Sequence, residues 1–227
     1  MAFAAKRGIL QACVANDVKI KICGITNAED ALLAANAGAD ALGFVFSPAS
    51  PRYVALEFAE AIARKIPAHV MRVGVFVDAP ADEVMEAISR CGLAAAQFHG
   101  SEPPEYCGQF GVMTMKAFRV RDEASLAGAG AYAVDAFLLD SFVPGQPGGT
   151  GASFNWKLAA EAKIFGKPVF LAGGLTPENV AEAIRTAQPF GVDVSSGVER
   201  LPGKKDADKV RRFIAAARGA SDFSPRS

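Results

Sequence analysis

The chain has 227 residues, enough for one large domain or two small ones, and its 24 basic and 24 acidic side chains cancel to no net charge. This balance argues against a general nucleic-acid or anionic-membrane surface, and although 51% of the residues are hydrophobic, no apolar run is long enough to span a membrane. Four cysteines without CxxC spacing and only two histidines argue against a zinc site and favour a reducing, cytoplasmic setting.

After residues 1–17, which we expect to form an extension without a signal peptide, one pattern recurs eight times. A short β-rich run is followed by a turn and then by an amphipathic, alanine-rich segment. Eight such units predict one closed (β/α)8 barrel, a TIM barrel, over residues 18–219, with a tail at 220–227. An open doubly wound sheet is the alternative, but it usually has fewer strands. The predicted strands are Val18–Cys23, Ala41–Phe46, Val70–Val77, Ala94–His99, Met113–Val120, Ala136–Asp140, Val169–Ala172 and Val192–Ser195. The predicted helices lie near Ala28–Ala37, Leu56–Lys65, Ala81–Arg90, Pro103–Phe110, Glu123–Gly128, Trp156–Phe165, Pro177–Ala187 and Asp206–Arg218.

The first predicted strand alternates between apolar and reactive side chains. If its apolar side packs under helices, its other side faces the barrel interior and carries Cys23 at the C-terminal end. Cys23 is therefore a candidate reactive thiol, and we hypothesise that the charge of Lys21 lowers its pKa. The alternative is that Cys23 only fills space. Gly24 permits a sharp turn, and Thr26 or Asn27 is suited to cap the next helix.

Barrel enzymes build their active sites where the strands end, so the polar side chains at those ends are candidate site residues. In the sixth strand, Asp140 shares the side of Ala136 and Leu138 and points into the barrel mouth. The alternative for Asp140 is capping of the next turn. The other candidates are Gln97 and His99 after strand four, and Asp193, Ser195 and Ser196 at strand eight.

Glycine-rich loops follow strands seven and eight, where barrel enzymes commonly bind phosphate through backbone N–H groups. Gly173 and Gly174 permit close backbone approach, and Ser195 and Ser196 add hydroxyl donors. The sequence therefore predicts a phosphate site at these two strand ends. Thr176 is expected to cap the helix after strand seven, with Pro177 at its first position.

Two further loops are candidates for substrate contacts. The long connection at residues 141–155 contains Gly148, Gly149, Thr150 and Gly151 and is interpreted as a lid. In the proline-stiffened loop at residues 47–53, Arg52 offers a planar fork that matches a carboxylate or phosphate, although a surface arginine often contacts only solvent.

These residues lie in motifs that resemble those of the phosphoribosylanthranilate isomerase family. The likeness runs from about residue 18 to residue 218. Its most specific parts are the first-strand cysteine motif and the Asp-Val-Ser-Ser-Gly-Val-Glu motif of strand eight. The motifs are Lys21–Thr26, Ser50–Tyr53, Val75–Val77, Gln97–Gly100, Leu139–Asp140, Gly148–Gly151, Leu171–Leu175, Val192–Glu199 and Pro202–Asp206.

The resemblance implies an Amadori rearrangement of a phosphoribosyl anthranilate in tryptophan biosynthesis, with neither metal nor organic cofactor. It implies that Asp140 is the general acid and Cys23 the general base. Arg52 would hold the anthranilate carboxylate, and Gln97 and Asp193 would lie at the substrate. The phosphate would be held by Gly173, Gly174, Ser195 and Ser196.

Two other functions are compatible with the same residues. One is a different phosphosugar barrel, such as an epimerase or synthase. The other is a non-enzymatic phosphate-ligand or redox-sensing protein that uses Cys23 as a reactive thiol. No nucleic-acid or membrane partner is expected. The chain is expected to be a monomer or homodimer, and activity on a related aminoimidazole substrate stays open.

Overall fold

The computed structural model of the chain describes residues 17–141 and 156–221. Within these ranges, eight parallel strands pair in sequence order and close into a barrel, because the first strand pairs the second on one side and the eighth on the other. The predicted (β/α)8 barrel is therefore confirmed, and the open sheet is excluded. The strands are β1 (Lys19–Cys23), β2 (Ala41–Val45), β3 (Met71–Phe76), β4 (Ala95–Phe98), β5 (Met113–Val120), β6 (Ala136–Ser141), β7 (Val169–Ala172) and β8 (Gly191–Val194), and a small antiparallel hairpin follows them with β9 (Glu199–Leu201) and β10 (Lys204–Lys205).

Helices connect successive strands and cover the outside of the barrel. None of those in the described ranges is long and apolar enough to cross a membrane. The last one ends two residues beyond the predicted domain boundary at residue 219. The α-helices are α1 (Ala28–Asn36), α2 (Leu56–Ala63), α3 (Ala81–Cys91), α4 (Pro104–Cys107), α5 (Trp156–Glu161), α6 (Val180–Ala187) and α7 (Ala207–Ser221).

Side chains alternate along each strand between the helix layer and the barrel interior, as predicted for β1 and β6. Large apolar side chains fill the layer between strands and helices, among them Ile20, Ile22 and Phe137. The interior of the barrel is packed by a separate set that includes Ala136 and Leu138. Because Cys23 and Asp140 follow the interior parity, their side chains lie on the side of the barrel that a ligand at its mouth would meet.

Two predicted helices are shorter or tighter than expected. The segment after β5 is a 3₁₀-helix over Glu123–Leu126, capped by Asp122 through the Ser125 N–H, because Gly128 follows at φ 126° and prevents an α-helix from continuing. The predicted helix Pro103–Phe110 is reduced to α4, which is bounded by Pro103 and Gly108.

The two predicted helix caps have different outcomes. Asn27 caps α1, since its side chain accepts a hydrogen bond from the Asp30 N–H at 2.8 Å. The predicted start of the helix after β7 at Pro177 is wrong, because α6 begins at Val180. Thr176 instead caps the turn that leads into α6: its hydroxyl accepts from the Glu178 N–H at 3.2 Å, its carbonyl accepts from the Val180 N–H at 3.1 Å, and its own N–H donates to Asn179 Oδ1 at 2.8 Å.

The last helix is fastened to the first strand. The Arg218 guanidinium donates to the Val18 carbonyl at 2.8 Å, to the Gly38 carbonyl at 3.1 Å and to Asp40 Oδ2 at 2.7 Å. The same Asp40 oxygen accepts from the Ile20 N–H. The N-terminal end of β1 is thereby held by residues from α7, which fixes the strand that carries Cys23.

Candidate active site

Four of the predicted site residues lie on interior-facing positions of four different strands. Cys23 is the last residue of β1, Gln97 lies in β4, Asp140 lies next to the end of β6, and Asp193 lies in β8. Because the eight barrel strands are parallel, their carboxyl ends share one rim of the barrel. The fold therefore gathers residues that are more than 100 positions apart in the chain at one end of the barrel.

Cys23 is 8% exposed and packs against Val45 and Val75. Its space depends on Gly43 in the neighbouring strand: a Cβ at that position would lie 2.7 Å from Cys23 Sγ and 3.1 Å from Lys21 Nζ. Real Cβ contacts are essentially never as short as 2.7 Å, so any larger residue at position 43 would displace the thiol and crowd the amine. Gly43 thus provides the space that the Cys23 thiol occupies, and the sequence patterns did not single it out.

Lys21 forms a buried ion pair with Asp193, with Lys21 Nζ 2.9 Å from Asp193 Oδ1. Burial alone would lower the pKa of the Lys21 ammonium, but the charges of Asp193 and Cys23 outweigh it, so this pKa is raised and the amine stays charged. Burial raises the pKa of the Cys23 thiol, and Lys21 opposes that shift without cancelling it. Lys21 therefore acts to lower the pKa of the Cys23 thiol, as hypothesised, but burial has the larger effect and raises that pKa.

Replacing Lys21 with methionine is expected to raise the pKa of the Cys23 thiol further, since the thiolate loses a neighbouring cation and is left beside Asp193. Alkylation by iodoacetamide depends on the thiolate, so the rate at Cys23 should reach its midpoint at a higher pH in this variant. Peptide mass spectrometry after timed labelling separates Cys23 from the other cysteines. Lys19→Met is the matched control on the same strand, and equal midpoints in the wild type and Lys21→Met would disprove the effect.

Asp140 is joined to two other polar residues of the rim. His99 Nε2 lies 3.3 Å from Asp140 Oδ2, and His99 Nδ1 lies 3.2 Å from Gln97 Nε2. Gln97 is buried, and its Oε1 has no hydrogen-bond partner among residues 17–141 and 156–221. The Gln97 amide orients the imidazole, and the imidazole in turn contacts the carboxylate, which forms a connected polar chain at the barrel mouth.

Arg52 is held by Glu199, the last residue of the strand-eight motif. Arg52 Nε lies 2.9 Å from Glu199 Oε1, and Arg52 Nη2 lies 2.7 Å from Glu199 Oε2. Burial alone would raise the pKa of Glu199, but Arg52 and the nearby Lys205 outweigh it and lower that pKa. Arg52 is therefore not a free surface arginine, and the pair fixes the orientation of its guanidinium plane.

The loops after β7 and β8 pack directly against each other. A Cβ at Gly197 would lie 1.9 Å from the Leu175 carbonyl oxygen, so only glycine fits at this contact. Gly173 and Gly174 both have positive φ, and a Cβ at Gly174 would meet no atom of the described chain within 4 Å. Ser195 Oγ is buried without a partner among the described residues, while Ser196 is exposed. The loops therefore leave open space beside glycine backbone, together with one spare hydroxyl.

The predicted lid residues Gly148, Gly149, Thr150 and Gly151 lie outside the described residues. Within residues 17–141 and 156–221, no three His, Cys, Asp or Glu side chains are grouped so that they could hold a metal ion.

The sequence patterns missed two charged residues that contact site residues. Glu199 was noticed only as part of a motif, although it holds Arg52. Lys205 is 3% exposed and lies in the Pro202–Asp206 stretch that was noticed only for its resemblance. A signal was present, since Lys205 occupies a lysine pair in a short segment between β8 and α7, but lysine pairs are usually exposed.

Comparison with known proteins shows to which family of barrel proteins the chain belongs. The sequence profile of the family described as N-(5'phosphoribosyl)anthranilate (PRA) isomerase matches residues 20–216. The chain belongs to this family. Among curated relatives, the N-(5'-phosphoribosyl)anthranilate isomerase of Pelobacter propionicus is 52% identical over 209 residues, which cover 92% of this chain and 100% of the relative. The resemblance inferred from the motifs is thus confirmed.

Solved structures agree with this assignment. Phosphoribosyl anthranilate isomerase from Thermotoga maritima superposes with a TM-score of 0.84 at 45% identity, covering 89% of this chain and 99% of that one. A family structure in complex with reduced 1-(o-carboxyphenylamino)-1-deoxyribulose 5-phosphate has a TM-score of 0.81 at 43% identity, with the same coverage. A structure of monomers generated from the dimeric Thermotoga maritima enzyme has a TM-score of 0.80 at 42% identity, again with the same coverage.

Proposed function

We propose that the chain catalyses the Amadori rearrangement of N-(5-phosphoribosyl)anthranilate to 1-(2-carboxyphenylamino)-1-deoxyribulose 5-phosphate, a step of tryptophan biosynthesis. Family membership over residues 20–216 is the observation that carries the proposal. The interior-facing thiol and carboxylate at one rim of the barrel supply the acid and base that the reaction requires.

In this proposal Asp140 acts first, as the general acid. It donates its proton to the ribose ring oxygen as the bond between that oxygen and C1′ breaks, and the nitrogen lone pair forms the C1′ iminium. His99, 3.3 Å from Asp140, is placed to hydrogen-bond the carboxylate that remains.

Cys23 then acts as the general base. Its thiolate removes the proton from C2′, the C2′–H electrons form the enolamine double bond, and the iminium nitrogen regains its lone pair. The enolamine tautomerises to the ketone product. Since burial raises the pKa of the thiol, the active thiolate becomes more populated as the pH rises, and Lys21 is the nearby charge that favours it.

The remaining predicted residues bind substrate in this proposal. Backbone at Gly173 and Gly174, with Ser195 and Ser196, holds the phosphate. Asp193 lies near the sugar; although Oδ1 accepts from Lys21, a carboxylate has further acceptor positions.

Gln97 completes the set of substrate-binding residues through its buried, unpartnered oxygen, which provides an acceptor within the described part of the chain. The loop containing Gly148–Gly151 is proposed as a lid over the site. No cofactor is needed for these steps. A cytoplasmic location, a monomeric or homodimeric state and the absence of nucleic-acid and membrane partners stay predictions.

Mixing the protein with freshly made substrate, without added metal, tests the proposal, because conversion removes the fluorescence of the anthranilate adduct. We expect the fluorescence to fall much faster than in a control without protein. A protein that binds the phosphosugar without accelerating this loss would instead be a phosphate-ligand-binding protein.

Replacing Arg52 with alanine is expected to raise KM about 10- to 100-fold with a smaller change in kcat. Glu199 occupies the Nε edge of the guanidinium, so the N–H groups on the opposite edge are free to bind the anthranilate carboxylate. A hydrogen bond to a charged group contributes about 1.5–3 kcal/mol, and about 1.4 kcal/mol corresponds to tenfold in affinity.

Steady-state kinetics at a fixed pH measure this split between KM and kcat. Arg64→Ala is the control, because Arg64 is the C-cap residue of α2 and its side chain is 75% exposed. This substitution is expected to leave both constants unchanged. An unchanged KM for Arg52→Ala would contradict the carboxylate-binding role.

A further inference from the structure

The hairpin after β8 buries a lysine that the proposed chemistry does not use. The Lys205 ammonium donates to the carbonyl oxygen of Cys23 at 2.5 Å, to that of Ser195 at 3.3 Å and to Glu199 Oε1 at 2.9 Å. The side chain of Lys205 is completely enclosed. A buried ammonium is costly unless it is paired and fully hydrogen-bonded, and this one is both.

An ammonium group has three N–H donors, and all three have acceptors within the protein. Lys205 therefore has no donor left for a substrate, and burial keeps it from solvent. This saturation excludes a direct binding role and leaves a role in holding other groups.

The three acceptors belong to three different parts of the proposed site. The Cys23 carbonyl marks the end of the strand that carries the thiol. The Ser195 carbonyl lies in the loop proposed to bind phosphate. The third acceptor, Glu199 Oε1, also accepts from Arg52 Nε, and Glu199 Oε2 accepts from Arg52 Nη2. One ammonium thus joins the base, the phosphate loop and the carboxylate-binding arginine.

The backbone around Lys205 is itself fixed from the first βα turn. The Lys205 N–H donates to Asp30 Oδ2 at 2.9 Å, and the Thr26 hydroxyl donates to the Gly203 carbonyl. Asp30 is 6% exposed in the first turn of α1. Because both the backbone and the side chain of Lys205 are held, the ammonium has a defined position from which to orient its three acceptors.

We infer that Lys205 is a positioning residue that sets the distances between the Cys23 strand end, the Ser195 loop and the Glu199–Arg52 pair. The inference deepens the proposed function, on which it rests for the roles of Cys23, Ser195 and Arg52. The positive charge of Lys205 also favours the Cys23 thiolate. Loss of Lys205 therefore affects thiol reactivity and phosphate binding together, although the two sites lie on different strands.

The test compares Lys205→Met with Lys204→Met, a matched control because Lys204 is the adjacent residue of β10 and is exposed. Three quantities are measured on each folded variant: kcat/KM with the phosphoribosyl substrate, the affinity for inorganic phosphate from thermal-shift titration, and the pH midpoint of Cys23 alkylation by iodoacetamide. The last two need no turnover.

We expect Lys205→Met to lower kcat/KM about 10- to 100-fold, the range in which small misplacements of reacting groups act. It should also weaken inorganic phosphate binding and move the alkylation midpoint to higher pH, whereas Lys204→Met should match the wild type in all three. If Lys205→Met loses melting temperature while its phosphate affinity and alkylation midpoint equal those of Lys204→Met, the residue is merely structural and the inference is overturned.

If Lys205→Met does not fold, Lys205→Arg carries the same comparison, because it keeps the charge but cannot direct three N–H groups at the same three oxygens. We then expect the phosphate affinity and the Cys23 alkylation midpoint to change in the directions expected for Lys205→Met, but by less. If both quantities equal those of Lys204→Met, the inference is overturned. A wild-type protein without turnover would instead refute the proposed function, while phosphate affinity and alkylation would still decide the role of Lys205.

Discussion

Replacing Cys23 with serine is expected to lower kcat by about 10²- to 10⁴-fold, the contribution typical of one acid–base group. Serine keeps the shape of the side chain beside Gly43, so the barrel should fold as before. Its hydroxyl ionises far less readily than a thiol, however, so the proton at C2′ loses its base. KM should change little, because the thiol is not proposed to bind the substrate.

The fluorescence assay measures this loss, and its pH dependence adds a second readout. In the wild type, kcat should rise with pH as the thiol ionises, since burial raises the pKa of Cys23. That rise should disappear in Cys23→Ser. Cys91→Ser is the control, because Cys91 lies at the end of α3, away from the barrel mouth, and should leave kcat unchanged. A Cys23→Ser enzyme with near-normal kcat would show that another group is the base.

Replacing Asp140 with asparagine is expected to lower kcat by a similar factor of about 10²–10⁴. The amide has nearly the shape of the carboxyl group but no acidic proton to give to the ring oxygen. It can still contact His99, so the polar chain at the rim should persist. The variant should therefore bind substrate and phosphate while it fails to open the ribose ring.

Single-turnover measurements with enzyme in excess separate this step from binding. Asp208→Asn, on the exposed side of α7, serves as the control and should behave as the wild type. Near-normal turnover by the Asp140→Asn enzyme would refute its role as the acid. An equal loss of phosphate affinity would show that the substitution disturbs the site as a whole.

The barrel was predictable because its signals are local. The alternation from Val18 to Cys23 depends only on the geometry of an extended chain, and it correctly assigned Lys21 and Cys23 to the interior. The same parity argument assigned Asp140. Since a barrel brings all strand ends to one rim, the neighbourhood of these side chains follows once the strands are identified.

The contacts within the site were not predictable to the same degree, because they depend on distances that no local pattern encodes. Lys205 reaches the Cys23 carbonyl across 182 positions of sequence, and Glu199 pairs with Arg52 across 147. The thiol pKa depends on a balance between burial and charge, and the sequence shows only the charge. The start of α6 was placed too early because residues 177–179 form a turn before the helix begins at Val180, and the threonine–proline pattern does not distinguish a turn from a first helical turn.

The hydrogen bonds that join Arg218 to the first strand have a consequence for how the protein folds during synthesis. The strand bearing Cys23 leaves the ribosome early, but its partners Asp193, Lys205 and Arg218 are synthesised 172 to 200 residues later. A nascent chain that stops before β8 leaves Lys21 without its counter-charge. Contacts between residues so far apart in sequence form slowly. We therefore expect the active site to form in one step after the last helix has been synthesised, rather than gradually as the chain lengthens.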